Sequence, residues 1–476
     1  MQEGRLKMSV IAAYIVPHPP LIFPEVGAGK EYEIEDTTKA YREVAREICA
    51  LAPDAVVIVS PHAQTYADYF HISPGERASG DMRQYGVSGV EVSAEYDTEF
   101  VAALEAACEA TGFPAGTLGE RNSSLDHGTM IPLRFIYEAT QPSPDRPSIK
   151  SVRIGISGLS VDDHYRLGMY ISNVSEQLGR RIVLIASADL SHKLLDYGPY
   201  GFAPEGPQFD NVIKEMIESG DFMPILELDS SFCEKAGECG HRPIVVMTGA
   251  LDGKTVETKL LSYEGPFGVG YGVGSFLATG QADARRLLTP YLERQRERTV
   301  QMRASESPHV RLARNTVETY VESGRMYDPG NSLPPEFTVQ SAGVFVSIKK
   351  HGNLRGCIGT ISPTKENIDM EIRHNAISAA SNDPRFDEIE TSELPYLTYS
   401  VDVLMPAESI DSADELDPKK YGVIVSLDGR RGLLLPDLDG IDDAEDQIGI
   451  AMQKAGIKTN ERSKIKLERF EVVRHL

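Results

Sequence analysis

Four of the eleven histidines lie where their surroundings could give them chemical work. His18 follows the apolar run Val10–Val16 in the text VPHPP, His62 follows Ala55–Ser60 in SPHA, and His192 follows Ile182–Ser187 in SADLSH. His127 sits in the loop-like LDHGT. A neutral imidazole is a good metal ligand, and its pKa near 6.5 also makes it a proton acceptor and donor at physiological pH. In open α/β sheets, ligands bind outside the carboxyl ends of the strands. Three strands that each deliver a histidine to that edge would surround one crevice. Pro17, Pro19, Pro20 and Pro61 stiffen two of the loops, which suits a ligand that must hold its position. Any one of these histidines alone reads as an ordinary hydrogen-bonded loop residue. The repeated strand-end placement is what points to a shared metal site.

A third ligand should be a carboxylate or a thiolate, and Glu238-Cys239-Gly240-His241 offers both just before the buried-helix text Pro243–Leu251. Two histidines and a carboxylate form the facial triad of non-haem Fe(II) oxygenases, with open positions left for substrate. Two histidines and a thiolate suit copper, zinc or a redox site. Residue types alone leave Glu238 and Cys239 as alternatives. Asp189, three residues before His192, reads either as the hydrogen-bond partner that fixes that imidazole or as a cap for the following turn.

The elements that must position these groups alternate. Strands are expected at Val10–Val16, Ala55–Ser60, Val152–Ser157, Ile182–Ser187 and Lys259–Tyr263. Helices are expected at Thr37–Leu51, Thr98–Gly112, Asp162–Leu178 and Asp210–Ser219. Strands alternating with helices predict an α/β domain with a central sheet flanked by helices, over residues 8–280. The Gly-rich Gly265–Gly274 lacks the helix and acidic partner of a dinucleotide loop and reads as close backbone packing. Residues 281–307, rich in Arg, Gln and Glu, read as a linker or a solvated helix. Residues 308–476 predict an α+β domain. It opens with the amphipathic helix Val310–Ser323, followed by strands at Gly343–Lys350, Tyr396–Leu404, Val423–Leu427 and Leu433–Pro436 and a helix at Glu366–Asn382.

Composition narrows the function classes. With 48 Lys+Arg against 71 Asp+Glu, the 476-residue chain carries a net −23 at pH 7, which disfavours nucleic acid and anionic membranes as partners. No stretch approaches the ~18 consecutive apolar residues of a membrane span. Val10–Val16 is too short for a signal sequence and reads as a strand, with Met8 as an alternative start. Five cysteines without a CxxC pair are no disulfide framework, so a reduced, cytoplasmic protein is expected.

The motifs VPHPP, SPHA, LDHG, SADLSH and ECGHRPIVVMTGAL, in this order and spacing, resemble the class III extradiol dioxygenases of the LigB type and their relatives, the Memo proteins. The resemblance covers roughly residues 8–280. It implies Fe(II) held by His18, His62 and Glu238, His192 as the acid/base, and His127 binding substrate and oxygen intermediates. The expected partners are a small catechol-like aromatic and O2. In Memo proteins a cysteine takes the place of the glutamate, and Cys239 aligns with it better than Glu238 does.

GVFVSIKKHGNLRGCIGT, SNDPRF, LTYSVDVL and KYGVIVSLDGRRGLLLPD resemble the AMMECR domain, over roughly residues 309–476. Within it, Arg355 and Cys357 mark a second site if the guanidinium activates the thiol; the alternative is a small buried residue in a glycine-tight core. Asp437–Asp446 is acidic but lacks calcium-loop spacing, so it reads as a solvated turn that caps a helix. Memo-like and AMMECR-like proteins are associated with a radical S-adenosylmethionine protein in some prokaryotic systems (the AmmeMemoRadiSam system). The resemblance therefore implies two functions of different kinds. One is extradiol cleavage of an aromatic ring. The other is metal or redox work in a modification pathway without ring cleavage, on iron, zinc or copper. Metal-assisted hydrolysis with His192 as base is a third reading. A homo-oligomer is compatible with all three.

Overall fold

A computed structural model describes residues 9–141, 148–330, 333–438 and 440–476; Met8 and Asp439 lie outside the described residues. The chain divides into two compact units, Met1–Glu293 and Arg294–Leu476.

The first unit is built on a six-stranded sheet. Its strands are β1 (Val10–Val16), β2 (Ala55–Ser60), β3 (Lys150–Gly155), β4 (Ile182–Ser187), β5 (Lys254–Glu264) and β6 (Tyr271–Gln281), in the order β3-β2-β4-β1-β6-β5. The first four in that order run parallel, and the β5–β6 hairpin closes one side antiparallel. Every residue of β1, β2 and β4 is buried, as expected of parallel strands covered on both faces. Alternation sorts their side chains into two cores. Ala13, Ile15, Val57, Val59 and Leu184 face one, and Ala12, Tyr14, Val16, Val56, Ile58 and Ile185 face the other. The helices are α1 (Glu35–Leu51), α2 (Thr98–Glu109), α3 (His127–Thr140), α4 (Val161–Leu178), α5 (Glu205–Ser219) and α6 (His241–Ala250). The Gly-rich stretch is a close-packing device: a Cβ on Gly270 would lie 2.1 Å from Asp210 Oδ2 on α5.

Most of the segment read as a linker or a solvated helix is one helix, α7 (Leu288–Ala304), and the division between the units falls inside it. The second unit begins within α7 and continues through α8 (Pro308–Ser323). The strands β7 (Val344–Lys350), β8 (Asn353–Gly359), β9 (Leu397–Leu404) and β14 (Val472–His475) pair in the order β8-β7-β9-β14. A second sheet, β10-β13-β11-β12, joins β10 (Glu408–Ile410), β11 (Gly422–Leu427), β12 (Arg430–Leu434) and β13 (Lys466–Phe470). Helix α9 (Ile368–Ser381) packs on the first sheet and α10 (Ala444–Lys454) on the second, which gives this unit two lobes, each with its own core, joined by a smaller cluster of Leu404, Ile424, Leu433 and Phe470. Asp443 caps α10 by accepting from Glu445 N and Asp446 N, as the acidic turn implied. Among the described residues, no helix is long and apolar enough to cross a membrane.

Candidate metal centre

The carboxyl ends of β1, β2 and β4 bring His18, His62 and the loop Asp189–His192 to one place. The turn before α6 adds Cys239. His18 Nε2 lies 3.0 Å from His62 Nε2 and 3.5 Å from Cys239 Sγ. The three donor atoms are mutually within 4.8 Å. Two imidazole nitrogens about 2.1 Å from a common ion, and a thiolate about 2.3 Å from it, lie about 3.0–3.4 Å (N to N) and about 3.1–3.6 Å (N to S) apart for angles between a right angle and the tetrahedral one. The two spacings from His18 fall inside these ranges, and His62 and Cys239 lie within 4.8 Å of each other, so the three residues could hold a single ion.

Hydrogen bonding decides which nitrogen His18 presents. Pro132 lies inside α3 and has no N–H to give to the carbonyl one turn earlier, that of Gly128. Ser187 Oγ donates to Gly128 O instead, at 2.6 Å. Having spent its proton, Ser187 Oγ must accept from His18 Nδ1–H, 2.9 Å away. Nε2 is left with the lone pair, aimed at His62 and Cys239. His18 is almost completely buried, and its backbone N–H donates to Asp189 Oδ1 at 2.7 Å. Asp189, which reads in the sequence either as a partner of the His192 ring or as a cap of the following turn, accepts from the His18 loop instead.

The His62 loop is pinned differently. His62 N donates to Ser60 Oγ (3.2 Å), and Ser60 Oγ donates to Asp126 Oδ1 (2.5 Å). Asp126 caps α3, accepting from Thr129 N and Thr129 Oγ1. The buried Arg153 on β3 has its Nη1 3.9 Å from Asp126 Oδ2 and donates to Ser73 Oγ and Ser124 O. One carboxylate therefore fixes both His62 and His127, the first residue of α3.

His127 and His192 line the donors without joining them. The His127 ring lies 4.2 Å from that of His62 and 5.5 Å from that of Tyr85. His192 Nε2 lies 3.6 Å from Cys239 Sγ, and the exposed Tyr200 covers the His192 ring at 5.3 Å. Burial holds all four imidazoles below their ordinary pKa. His127 is pushed down to about 3, with the neighbouring His62 and His18 adding to the effect. All four are therefore neutral at pH 7, the form that binds a metal or accepts a proton. Burial raises the Cys239 thiol and lifts Asp189 to about 6. A cation bound here would reverse the preference at sulfur.

Glu238, the carboxylate the resemblance puts on the metal, points elsewhere. Its Oε2 accepts His241 N at 2.6 Å, burial lifts it to about 7, and it clusters with Cys233 and His241. The adjacent Cys239 occupies the third position beside the histidines. In the second unit, Arg355 does not face Cys357: it makes a two-pronged bond to Glu393, at 3.0 and 2.9 Å.

Reading the sequence by histidines missed Ser187, Ser60, Asp126 and Arg153. Faint signals were present: a serine ending each of two apolar strands, an aspartate directly before His127, and an arginine within the apolar β3.

Fold and site together define an α/β protein with a cluster of histidine and cysteine side chains, placed to be able to hold a metal ion, at the carboxyl edge of a parallel sheet. Residues 12–274 match the catalytic LigB subunit of aromatic ring-opening dioxygenase, and residues 310–475 match AMMECR1. The chain belongs to the LigB family and carries an AMMECR1 domain after it. A protein of Clostridium acetobutylicum is 39% identical over 477 residues, covering 98% of this chain and 99% of that one. A Thermotoga maritima protein is 47% identical over 171 residues, 36% of this chain and 98% of its own length. A crystal structure of an uncharacterized protein from Pyrococcus horikoshii shares 30% identity over 35% of this chain and 88% of that one, with a TM-score of 0.33.

Proposed function

We propose that the first unit is a cytoplasmic, metal-dependent oxidation–reduction centre that holds one ion on His18, His62 and Cys239. The observation that carries this reading is the convergence of the three donors, with the His18 tautomer set by Ser187. Iron suits the family chemistry, and the thiolate also admits zinc or copper. A bound redox-active ion would supply electron transfer and acidify a coordinated phenol. The chain's own residues do the rest. His192, neutral and beside the donors, accepts a substrate proton and returns it. His127 and Tyr85, whose rings lie 5.5 Å apart next to His62, orient a planar ring. The substrate this fits is a catechol-like aromatic, with O2 as co-substrate and ring opening as the reaction.

Cys239 in the ligand position favours a second reading, in which the same centre does metal or redox work without ring cleavage beside a radical S-adenosylmethionine protein. Anaerobic purification followed by metal analysis of wild type, His62→Ala, Glu238→Ala and Cys239→Ala tests the centre, and O2 uptake with catechol and protocatechuate separates the readings. Metal lost in His62→Ala and Cys239→Ala but kept in Glu238→Ala is expected. Metal lost in His62→Ala and Glu238→Ala but kept in Cys239→Ala would replace the thiolate by the carboxylate triad. Metal in none of the four proteins would sink the centre. O2 uptake with neither phenol leaves the non-cleaving reading.

A further inference from the structure

Strand β5 ends the first unit's sheet on one side and pairs with β6 alone. It runs for 11 residues, about twice the common strand length. After Lys254 at its start, none of its residues is buried. Among the described residues, the backbone of Val256–Glu264 hydrogen-bonds only to β6. The outer N–H and C=O groups of such a strand are a template for another strand, and proteins commonly blunt the edge with a short strand or a proline. β5 is long and contains no proline.

Its pairing with β6 slips at two places, between Thr255 and Val256 and between Leu260 and Ser262. Val256–Leu260 is therefore the regular stretch, and Thr258 is its centre. Within it Glu257 and Lys259, two residues apart, share one face and are both exposed. Lys259 Nζ lies 2.7 Å from Glu43 Oε1 on α1, so this is the α1 face. A lysine in mid-edge usually discourages a neighbouring strand, but a second copy of β5 offers the matching charge. An antiparallel pairing about a two-fold axis through Thr258 sets Glu257 against the partner's Lys259, and the partner's Glu257 against Lys259. The next allowed registers put the axis through Glu257 or Lys259 and set that residue against its own copy. Opposite charges directly across an antiparallel pair attract, and like charges there are destabilising. Charge and strand regularity thus select the same register.

We propose that β5 is a dimerisation edge, on which two copies of this chain pair antiparallel about Thr258 and continue each six-stranded sheet into the other. Helices α1 and α5 hold β5 from its two faces, through Thr37 to Glu264 and through Asp210 to Tyr263. They extend the contact beyond the strand, as an interface of about 800 Å² per partner requires. With −23 on each chain, two copies repel at long range. At physiological salt that repulsion is screened beyond about 8 Å, whereas cross-strand pairs stand only about 5 Å apart between Cβ atoms. The proposal does not rest on the metal centre.

The test is sedimentation equilibrium of the full chain over a concentration series at about 0.15 M salt. A species of twice the 52.2 kDa chain mass is expected. Glu257→Lys and Lys259→Glu each turn two attractive pairs into repulsive ones, and each should raise the dissociation constant about tenfold. The double variant Glu257→Lys/Lys259→Glu restores both pairs with their signs exchanged, and should return the constant toward that of wild type. Thr258→Cys, on the axis, should form a disulfide with its own copy under mild oxidation. Thr255→Cys, which falls opposite the partner's Leu261, should not. A chain that stays monomeric through the series, a dimer indifferent to Glu257→Lys, a double variant no better than the single ones, or Thr258→Cys cross-linking no faster than Thr255→Cys would overturn the proposal.

Discussion

Replacing Ser187 by alanine breaks the link between helix α3 and His18, the buried member of the candidate metal centre. Ser187 Oγ stands between Gly128 O at 2.6 Å and His18 Nδ1 at 2.9 Å, and all three groups are buried. Alanine leaves the Nδ1–H without an acceptor, and it leaves Gly128 O without the donor that replaced the missing Pro132 N–H. A buried polar group stripped of its partner costs about 1–3 kcal/mol, so the folded chain should lose about 2–4 kcal/mol. Metal affinity should fall as well, because the imidazole no longer gains by carrying its proton on Nδ1 and keeping Nε2 free. Loss of such a supporting hydrogen bond lowers metal affinity about 10–100-fold, or about 1.4–2.7 kcal/mol, the same range as one orphaned donor. The assay pairs urea unfolding in chelator with competition titration of Zn(II) against a chelator of known affinity. Ser175→Ala is the control: Ser175 is equally buried and donates to Ser172 O at 2.8 Å, within α4 and away from the cluster. Ser187→Ala should lose both stability and affinity, and Ser175→Ala stability alone. A Ser187→Ala protein that binds metal as tightly as wild type would refute the tautomer argument, whatever its stability.

Three further outcomes follow from the same structure. Arg153→Met strips a buried cation from Asp126 and Glu120 and should cost about 3 kcal/mol in urea unfolding; because Asp126 anchors His62 through Ser60, metal affinity should fall too, and unchanged affinity would show that the pinning is idle. Asp210, buried under Tyr263 Oη and Ser191 N, is raised by burial from 3.8 to about 6. The folded state thus keeps a proton the unfolded chain has lost, so its stabilising contribution is complete below pH 3.8 and disappears as pH rises through 6. The slope amounts to about 3 kcal/mol at most, and Asp210→Asn should flatten it in unfolding curves taken from pH 3.5 to 6.5. Gly356→Ala places a Cβ 2.2 Å from Ala379 O on α9; overpacking of this kind costs about 1–3 kcal/mol, and metal analysis should find the first unit's content unchanged.

Much of the frame was legible from residue order. The apolar runs Val10–Val16, Ala55–Ser60 and Ile182–Ser187 announce buried strands because a strand covered on both faces has no polar positions, and all three match the observed bounds. Three histidines just past them are placed at one edge by topology alone, since parallel strands point their carboxyl ends the same way. Stretches with weaker patterns were read less well. The charged residues 281–307 read as a linker or a solvated helix, and the sequence leaves the two open because a helix exposed over much of its surface shows no apolar stripe; most of them form α7.

What sequence by itself determined is the set of candidate groups: His18, His62 and His192 at strand ends, His127 in a loop, and a carboxylate or thiolate from Glu238-Cys239. What only the tertiary structure decided is which donor points where. Neighbouring residues in a turn face different ways, so Glu238 turns to the His241 N–H while Cys239 meets the histidines. In the same way Arg355 turns to Glu393, and the guanidinium that reaches Cys357, at its carbonyl oxygen, is that of Arg385. The state of His18 was likewise out of reach. It depends on a proline one turn along α3, a serine at the end of β4 and the carbonyl between them, groups more than a hundred residues from His18 that only the packed sheet brings within hydrogen-bonding distance.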